Sequence, residues 1–191
     1  MVQMLEKLDQ ELFVYLNNQQ SPFWDAIMVF ASDKYVWIPF YLLLVGYLVY
    51  RYKRQSIPML LMAIAAIGLA DFVASGLFKP YFARLRPCHD PEISEMVNLV
   101  RGCGGKFGFM SSHAATSFAF AVFFNLILSD RYLIFKVILV AWAVIVSYSR
   151  IYLGVHYPGD IIGGALLGST LALLSSLGYT FLLNKYPALV R

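Results

Sequence analysis

Apolar residues in this chain gather into long runs, at about 35–51, 56–78, 112–128, 132–149 and 160–183, each bounded by charges, Pro or Gly and several by Tyr or Trp. Crossing the hydrocarbon of a bilayer takes about 20 apolar residues, so these five runs are predicted as spans. Two shorter segments precede them. Residues 4–18 set Leu5, Leu8, Leu12 and Leu16 at helical spacing, with Glu6, Lys7, Asp9 and Glu11 on the other side, the pattern of a helix lying in the membrane interface or of a soluble cap. Phe23 to Ala31 is too brief to span and is predicted as a second interfacial helix. The predicted fold is all-α, a polytopic transmembrane helical bundle of about five spans plus N-terminal interfacial helices. It forms one domain over 1–191, with 1–34 interfacial, 35–183 the bundle and 79–111 an extracytoplasmic loop.

Composition agrees with that pattern. The 191 residues are 60% apolar and 14% charged, against about 25% charged in an ordinary soluble domain, and the mean hydropathy is +0.66. No internal repeat or Gly/Ser-rich linker divides the chain. The opening stretch lacks a continuous apolar core and a small-residue cleavage site, so the mature chain is expected to start here. The net charge is +4, but the basic residues form neither long runs nor aromatic-interleaved stripes, which argues against a nucleic-acid surface. Nothing implies an obligate protein partner; the expected partners are the bilayer and a lipid.

Charge also orients the bundle. Arg51, Lys53 and Arg54 lie between the first two runs, and Arg131 and Lys136 lie around the gap between the third and fourth; both loops are predicted to face the cytoplasm. The C-terminus with Lys185 and Arg191 then returns to that side. The 79–111 segment, the 150–159 turn and the N-terminal stretch fall on the opposite face. The 79–111 segment keeps Lys79, Arg84, Arg86, Arg101 and Lys106 on that face against the charge rule, which invites a functional reason.

Three segments on that face carry chemistry: Lys79 to Pro87, Met110 to His113, and Ser149 to Asp160. Ionisable groups at span ends are costly unless solvated, paired or bound, so their convergence marks a candidate site. The set fits phosphoryl transfer, where catalysis consists mainly of positioning and of stabilising charge on the equatorial oxygens. Lys79, Arg86 and Arg150 are candidate phosphate ligands, the arginines through forked hydrogen bonds. Ser111 and Ser112 would add hydroxyls and the free N–H groups of a helix start. Asp160, four residues after His156, can orient its ring and leave the other nitrogen to attack phosphorus. His113 is then the proton donor to the leaving group and the base that activates water.

These segments resemble the three signature motifs of the type 2 phosphatidic acid phosphatase superfamily, whose relatives include bacterial acid phosphatases and vanadium haloperoxidases. The first motif, Lys-x6-Arg-Pro, is matched by Lys79, Arg86 and Pro87, and the third, Ser-Arg-x5-His-x3-Asp, by Ser149, Arg150, His156 and Asp160. The second, Pro-Ser-Gly-His, is matched only at Ser111 and His113, since Met110 and Ser112 replace its proline and glycine. Serine does not take positive φ as readily as glycine but is a good helix cap. The resemblance implies a helical membrane enzyme with a phosphohistidine intermediate, no required metal or other cofactor, and a lipid phosphate or diphosphate as substrate. Undecaprenyl diphosphate, phosphatidylglycerol phosphate, phosphatidate and lipid A are all open. The expected location is a bacterial inner membrane, with the site, by the charge of the loops, facing the periplasm or exterior.

Alternatives stay open from the residues alone. A lipid phosphotransferase would use the same groups with a different acceptor, and a small transporter would spread its charges through the bilayer depth. Cys88 and Cys103 share the 79–111 segment, where an oxidising compartment would permit a disulfide; two free thiols are the alternative. A zinc site from Cys88, His89 and Cys103 matches no standard spacing. Arg84 is read as a headgroup or surface contact. Asp71, inside the second run, is read as a buried partner of Lys79. Trp37, Tyr41, Tyr50 and Trp142 are read as interface anchors or lipid-facing packing.

Overall fold

A computed structural model describes residues 2–186 and is helical, with no strand among the described residues; Arg191 lies outside them. The amphipathic opening forms α1 (Val2–Asn17). α2 (Pro22–Ser32) begins where the Ser21 side chain accepts the Trp24 N–H at 3.4 Å and Pro22 takes the first turn, where its missing N–H costs nothing. α3 (Ile38–Tyr52) ends at Lys53, whose φ of 47° turns the chain through a short 3-10 segment into α4 (Ser56–Phe72). The stretch Ile38–Phe82 holds 45 residues, twice what a bilayer needs, and it doubles back at this turn. Leu48 and Leu44 of α3 line the same cavity as Leu60 and Ala63 of α4, while Trp37 and Asp71 line it at the other end.

Beyond α4 the helix does not stop at residue 78 as the hydropathy pattern predicts. A π-helical segment, Val73–Phe78, leads into the one-turn α5 (Lys79–Phe82). Pro80 has no N–H, and its ring crowds the carbonyl four residues back. The wider π turn, in which the Lys79 N–H reaches Ala74 O, relieves that crowding. Lys79 therefore sits on a helix, and the irregular loop starts at Ala83, whose left-handed φ of 47° ends α5.

Three further helices complete the bundle: α6 (Ser112–Ile127), α7 (Leu133–Tyr152) and α8 (Pro158–Lys185). α7 and α8 sit in stretches of 23 and 28 residues, long and apolar enough to cross a membrane; α6 has 16 residues. Its packing on α8 is the most extensive in the molecule. The reason is the pair Gly164 and Gly168, where a Cβ would collide with the backbone of Ser111 and Ala115. The glycine spacing in the fifth run predicts this close approach, and the structure has it.

A main core of Leu48, Met59, Phe123, Phe124 and Leu139 joins α3, α4, α6 and α7. Trp142, read above as an anchor, is buried within it, edge-on to Trp37 and Phe120. Outward faces remain apolar: Leu43 is 76% exposed and Ile134 79%, which a water-facing surface would not tolerate over so many positions. This is a membrane protein.

α1 departs from the simple interfacial reading. Leu5, Leu8 and Leu12 are exposed along one side, but Phe13 and Asn17 are fully buried on the other. Phe13 packs with Ile93, Ile151 and Tyr157, and Asn17 donates to Tyr152 O at 2.8 Å and accepts the Asn98 N–H at 2.8 Å. Asp9, assigned above to a solvent side, belongs to this inward face.

Candidate active site

One end of the bundle gathers the ends of α2, α5 and α7, the starts of α6 and α8, and the loop 83–111. Two strand-like stretches of that loop touch at the Leu85–Phe107 bridge, held by Arg86 N to Lys106 O at 3.1 Å and Gly108 N to Arg84 O at 2.9 Å. Cys88 and Cys103 are joined across it, with Cα atoms 6.0 Å apart.

His156 leaves the turn before α8 with 1% exposure, and Asp160 in the first turn of α8 is fully buried. The His156 Nδ1–H donates to Asp160 Oδ2 at 3.2 Å, which leaves Nε2 with its lone pair. The same carboxylate oxygen accepts the Tyr157 N–H at 3.0 Å, so the helix start itself holds it in place. Burial pushes the His156 imidazole down to about 4, against the opposing pull of Asp160. The ring is neutral at physiological pH.

Arg86 is buried and donates Nε–H to Phe107 O at 3.2 Å and an Nη1–H to Cys103 O at 2.9 Å. Desolvation lowers its affinity for the proton, though a guanidinium stays charged. Arg150 donates to Ser32 Oγ at the end of α2, and its buried Nε has no partner. Lys79 Nζ lies 3.5 Å from Ser112 Oγ. Among the described residues, none of Lys79, Arg86 and Arg150 has a carboxylate within ion-pair distance. The His113 ring lies in the field of the Lys79 and Arg150 cations, and His156 lies in that of Arg86 and Arg150. Lys79, Arg86, His113, Arg150 and His156 therefore lie near one another at this end of the bundle.

Ser111 caps α6, its Oγ accepting the Ala114 N–H at 3.4 Å, and its own N–H donates to Asp160 O at 3.1 Å. That second bond ties the start of α6 to the start of α8. Ser112 and His113 line a cavity of about 840 Å3 that runs from the site down between α3, α4, α6 and α7. Its deeper walls are apolar, among them Leu48, Ile67, Phe120 and Phe124.

Two sequence readings are corrected. Asp71 is exposed and lines the cavity; its charge reaches Lys79, but no ion pair forms between them. Arg84 is not a surface contact: it donates to Asp160 Oδ1 at 3.0 Å and to Asp9 Oδ2 at 2.7 Å. The two carboxylates outweigh desolvation and raise its already high affinity for the proton.

Three site residues escaped the sequence reading. Ser32 ends a helix read only as interfacial. Asp9 was one acid among several. Gly108 passes so close to the dyad that a Cβ there would lie 2.8 Å from Asp160 Oδ2 and 3.6 Å from His156 Nδ1. The surplus charge at Arg84 was the one visible signal. Among the described residues no three His, Cys, Asp or Glu side chains gather to hold a metal.

Comparison with known proteins bears on the family and the fold. The sequence profile of the PAP2 superfamily matches residues 34–182. A lipid A 4'-phosphatase of Bacteroides thetaiotaomicron is 38% identical over 172 residues, covering 88% of this chain and 75% of that protein. An undecaprenyl-diphosphatase of Sulfolobus acidocaldarius is 33% identical over 168 residues, covering 86% and 75%. The crystal structure of a transmembrane PAP2-type phosphatidylglycerolphosphate phosphatase from Bacillus subtilis superposes with a TM-score of 0.67 over 93% of this chain and 87% of that one; at 24% identity this likeness speaks for the fold alone.

Proposed function

This chain belongs to the PAP2 superfamily and is a phosphatase, and on that premise we propose that it hydrolyses a membrane lipid phosphate through a covalent phosphohistidine. Lys79, Arg86 and Arg150 hold the phosphoryl oxygens, with Ser111 and Ser112 adding hydroxyl and backbone donors. His156 Nε2 attacks phosphorus in line with the leaving oxygen, and His113 protonates that oxygen as the P–O bond breaks. Water, deprotonated by His113, then attacks the phosphohistidine and releases inorganic phosphate. Asp160 keeps the attacking ring in the right tautomer throughout.

The observation that carries this reading is the group of three cations without carboxylate partners, one with an unbonded buried Nε, set around a neutral imidazole. Basic groups left unneutralised at a buried site favour a bound anion. The adjoining apolar cavity suits a lipid tail. Lipid A is the first substrate to test, because the 38% identical relative is a lipid A 4'-phosphatase; undecaprenyl diphosphate, phosphatidylglycerol phosphate and phosphatidate complete the panel. Purified protein should release phosphate from at least one of them, and His156→Ala should lower that rate by about 10³-fold or more. Equal turnover by His156→Ala would overturn the nucleophile assignment.

We also place the whole chain in one domain of five crossings, with residues 1–34 at the interface and the site on the extracytoplasmic side of a bacterial inner membrane. The support is the distribution of charge: Arg51, Lys53, Arg54, Arg131 and Lys185 all lie at the end away from the site.

A further inference from the structure

Asp160 meets more than His156. Its Oδ1 accepts Arg84 Nη1 at 3.0 Å; Arg84 Nη2 donates to Asp9 Oδ2 at 2.7 Å; and Asp9 Oδ1 accepts the Gly159 N–H at 2.8 Å. The ring of bonds closes within one residue of where it began. A Cβ on Gly159 would stand 2.7 Å from Asp9 Oδ2, so glycine is what lets α1 come this near. The Arg84 guanidinium lies 4.2 Å over the Tyr157 ring, and Tyr157 donates its O–H to Asp90 at 2.6 Å. Arg84 meets Asp160 through Oδ1 while His156 meets it through Oδ2, and Arg84 is already committed to two carboxylates.

We propose that Arg84 and Asp9 are positioning residues for the hydrolysis, bracing the Asp160 carboxylate through Oδ1 so that Oδ2 holds His156 in line for attack. The proposal rests on the reading that His156 is the nucleophile. A fully buried carboxylate beside a neutral imidazole lacks countercharge, and the simplest remedy is an imidazolium. An imidazolium cannot attack phosphorus. Arg84 supplies the countercharge from the other side of the carboxylate and removes that demand, while Asp9 fixes the fork of the guanidinium. Asp9 also belongs to α1, whose Leu5, Leu8 and Leu12 point outward, so the seating of this interfacial helix is coupled to the dyad. The charged and titratable groups facing His156 and Asp160 are Asp9 from α1, Lys79 from α5, Arg84 and Arg86 from the loop, His113 from α6, Arg150 from α7 and Tyr157 ahead of α8.

The chain has three histidines, so 15N-histidine labelling in detergent micelles can follow the ring of His156 directly, with hydrolysis of lipid A, or of whichever panel lipid is turned over, measured alongside. Arg84→Gln should move the His156 titration, and with it the acid limb of kcat, upward by about one pH unit or more, and should lower kcat at pH 7 roughly tenfold with KM little changed because the carboxylate no longer holds the ring in line. Arg84→Lys keeps the charge and loses the fork, so its titration should stay near wild type with an intermediate kcat. Asp9→Asn leaves Arg84 wholly to Asp160, so the His156 titration should move downward. A merely structural ion pair would not produce opposite shifts. If Arg84→Gln lowers activity with the titration unmoved, or retains wild-type kcat, the proposal is wrong; if Arg84→Gln does not fold, an unmoved titration in Asp9→Asn overturns it. His156→Ala separates the two readings, because activity surviving there discards the nucleophile assignment whatever Arg84 does.

Discussion

His156 combines two opposing influences on one ring. Burial disfavours its charged form, Asp160 favours it, and burial wins, setting the group at about 4. Since the attacking form is the neutral one, the nucleophile is competent at every pH above that value and is lost as pH falls through it. The acid limb of kcat/KM that belongs to His156 should therefore lie near pH 4, where an unperturbed histidine would place it near 6.5. A profile whose nucleophile-dependent limb, identified by its shift in Arg84→Gln, stays near 6.5 would contradict the burial of the ring. His113 lines the cavity where the leaving lipid would depart. His113→Ala should then cost about 10²–10⁴-fold with a lipid alkoxide, and much less with an aryl phosphate whose leaving group needs no proton. Equal losses on both substrates would remove the general-acid role.

Helix contacts, more than any single side chain, bring the two histidines together. His113 starts α6 and His156 precedes α8, and those helices are locked where Gly164 and Gly168 meet the backbone of Ser111 and Ala115. Gly168→Val would push them apart. Overpacking of this kind costs about 1–3 kcal/mol, which for a domain of this size lowers the apparent melting temperature by roughly 2–12 °C. Activity in Gly168→Val should fall too, because the displacement reaches the Ser111 N–H to Asp160 bond; thermal unfolding in detergent checks the first effect and lipid phosphate release the second. The same principle explains α5. Pro80 looks like the end of a helix in the sequence, yet the π turn before it lets the helix run on and places Lys79 on a fixed support near Ser112.

For the molecule as a whole, sidedness is the property that decides which lipid pool it can reach. The chain has two cysteines, both in the loop at the site end. After mild reduction of intact spheroplasts, a membrane-impermeant thiol reagent should label Cys88 or Cys103. Labelling only after lysis would reverse the orientation and put the site in the cytoplasm.

The sequence by itself determined the helical class and the family, and it singled out six candidate side chains at one end of the bundle: Lys79, Arg86, His113, Arg150, His156 and Asp160. These were legible because charge is costly near hydrocarbon, so each charged group at a span end stands out against an apolar background, and hydropathy alone assigns all six to one face. Only the tertiary structure decided the partners. Asp9 and Arg84 are 75 residues apart, Ser32 and Arg150 are 118 apart, and Gly108 matters because of what crosses in front of it. Such contacts depend on how closely helices approach and on which donor reaches which acceptor in three dimensions, and no periodicity along the chain encodes that.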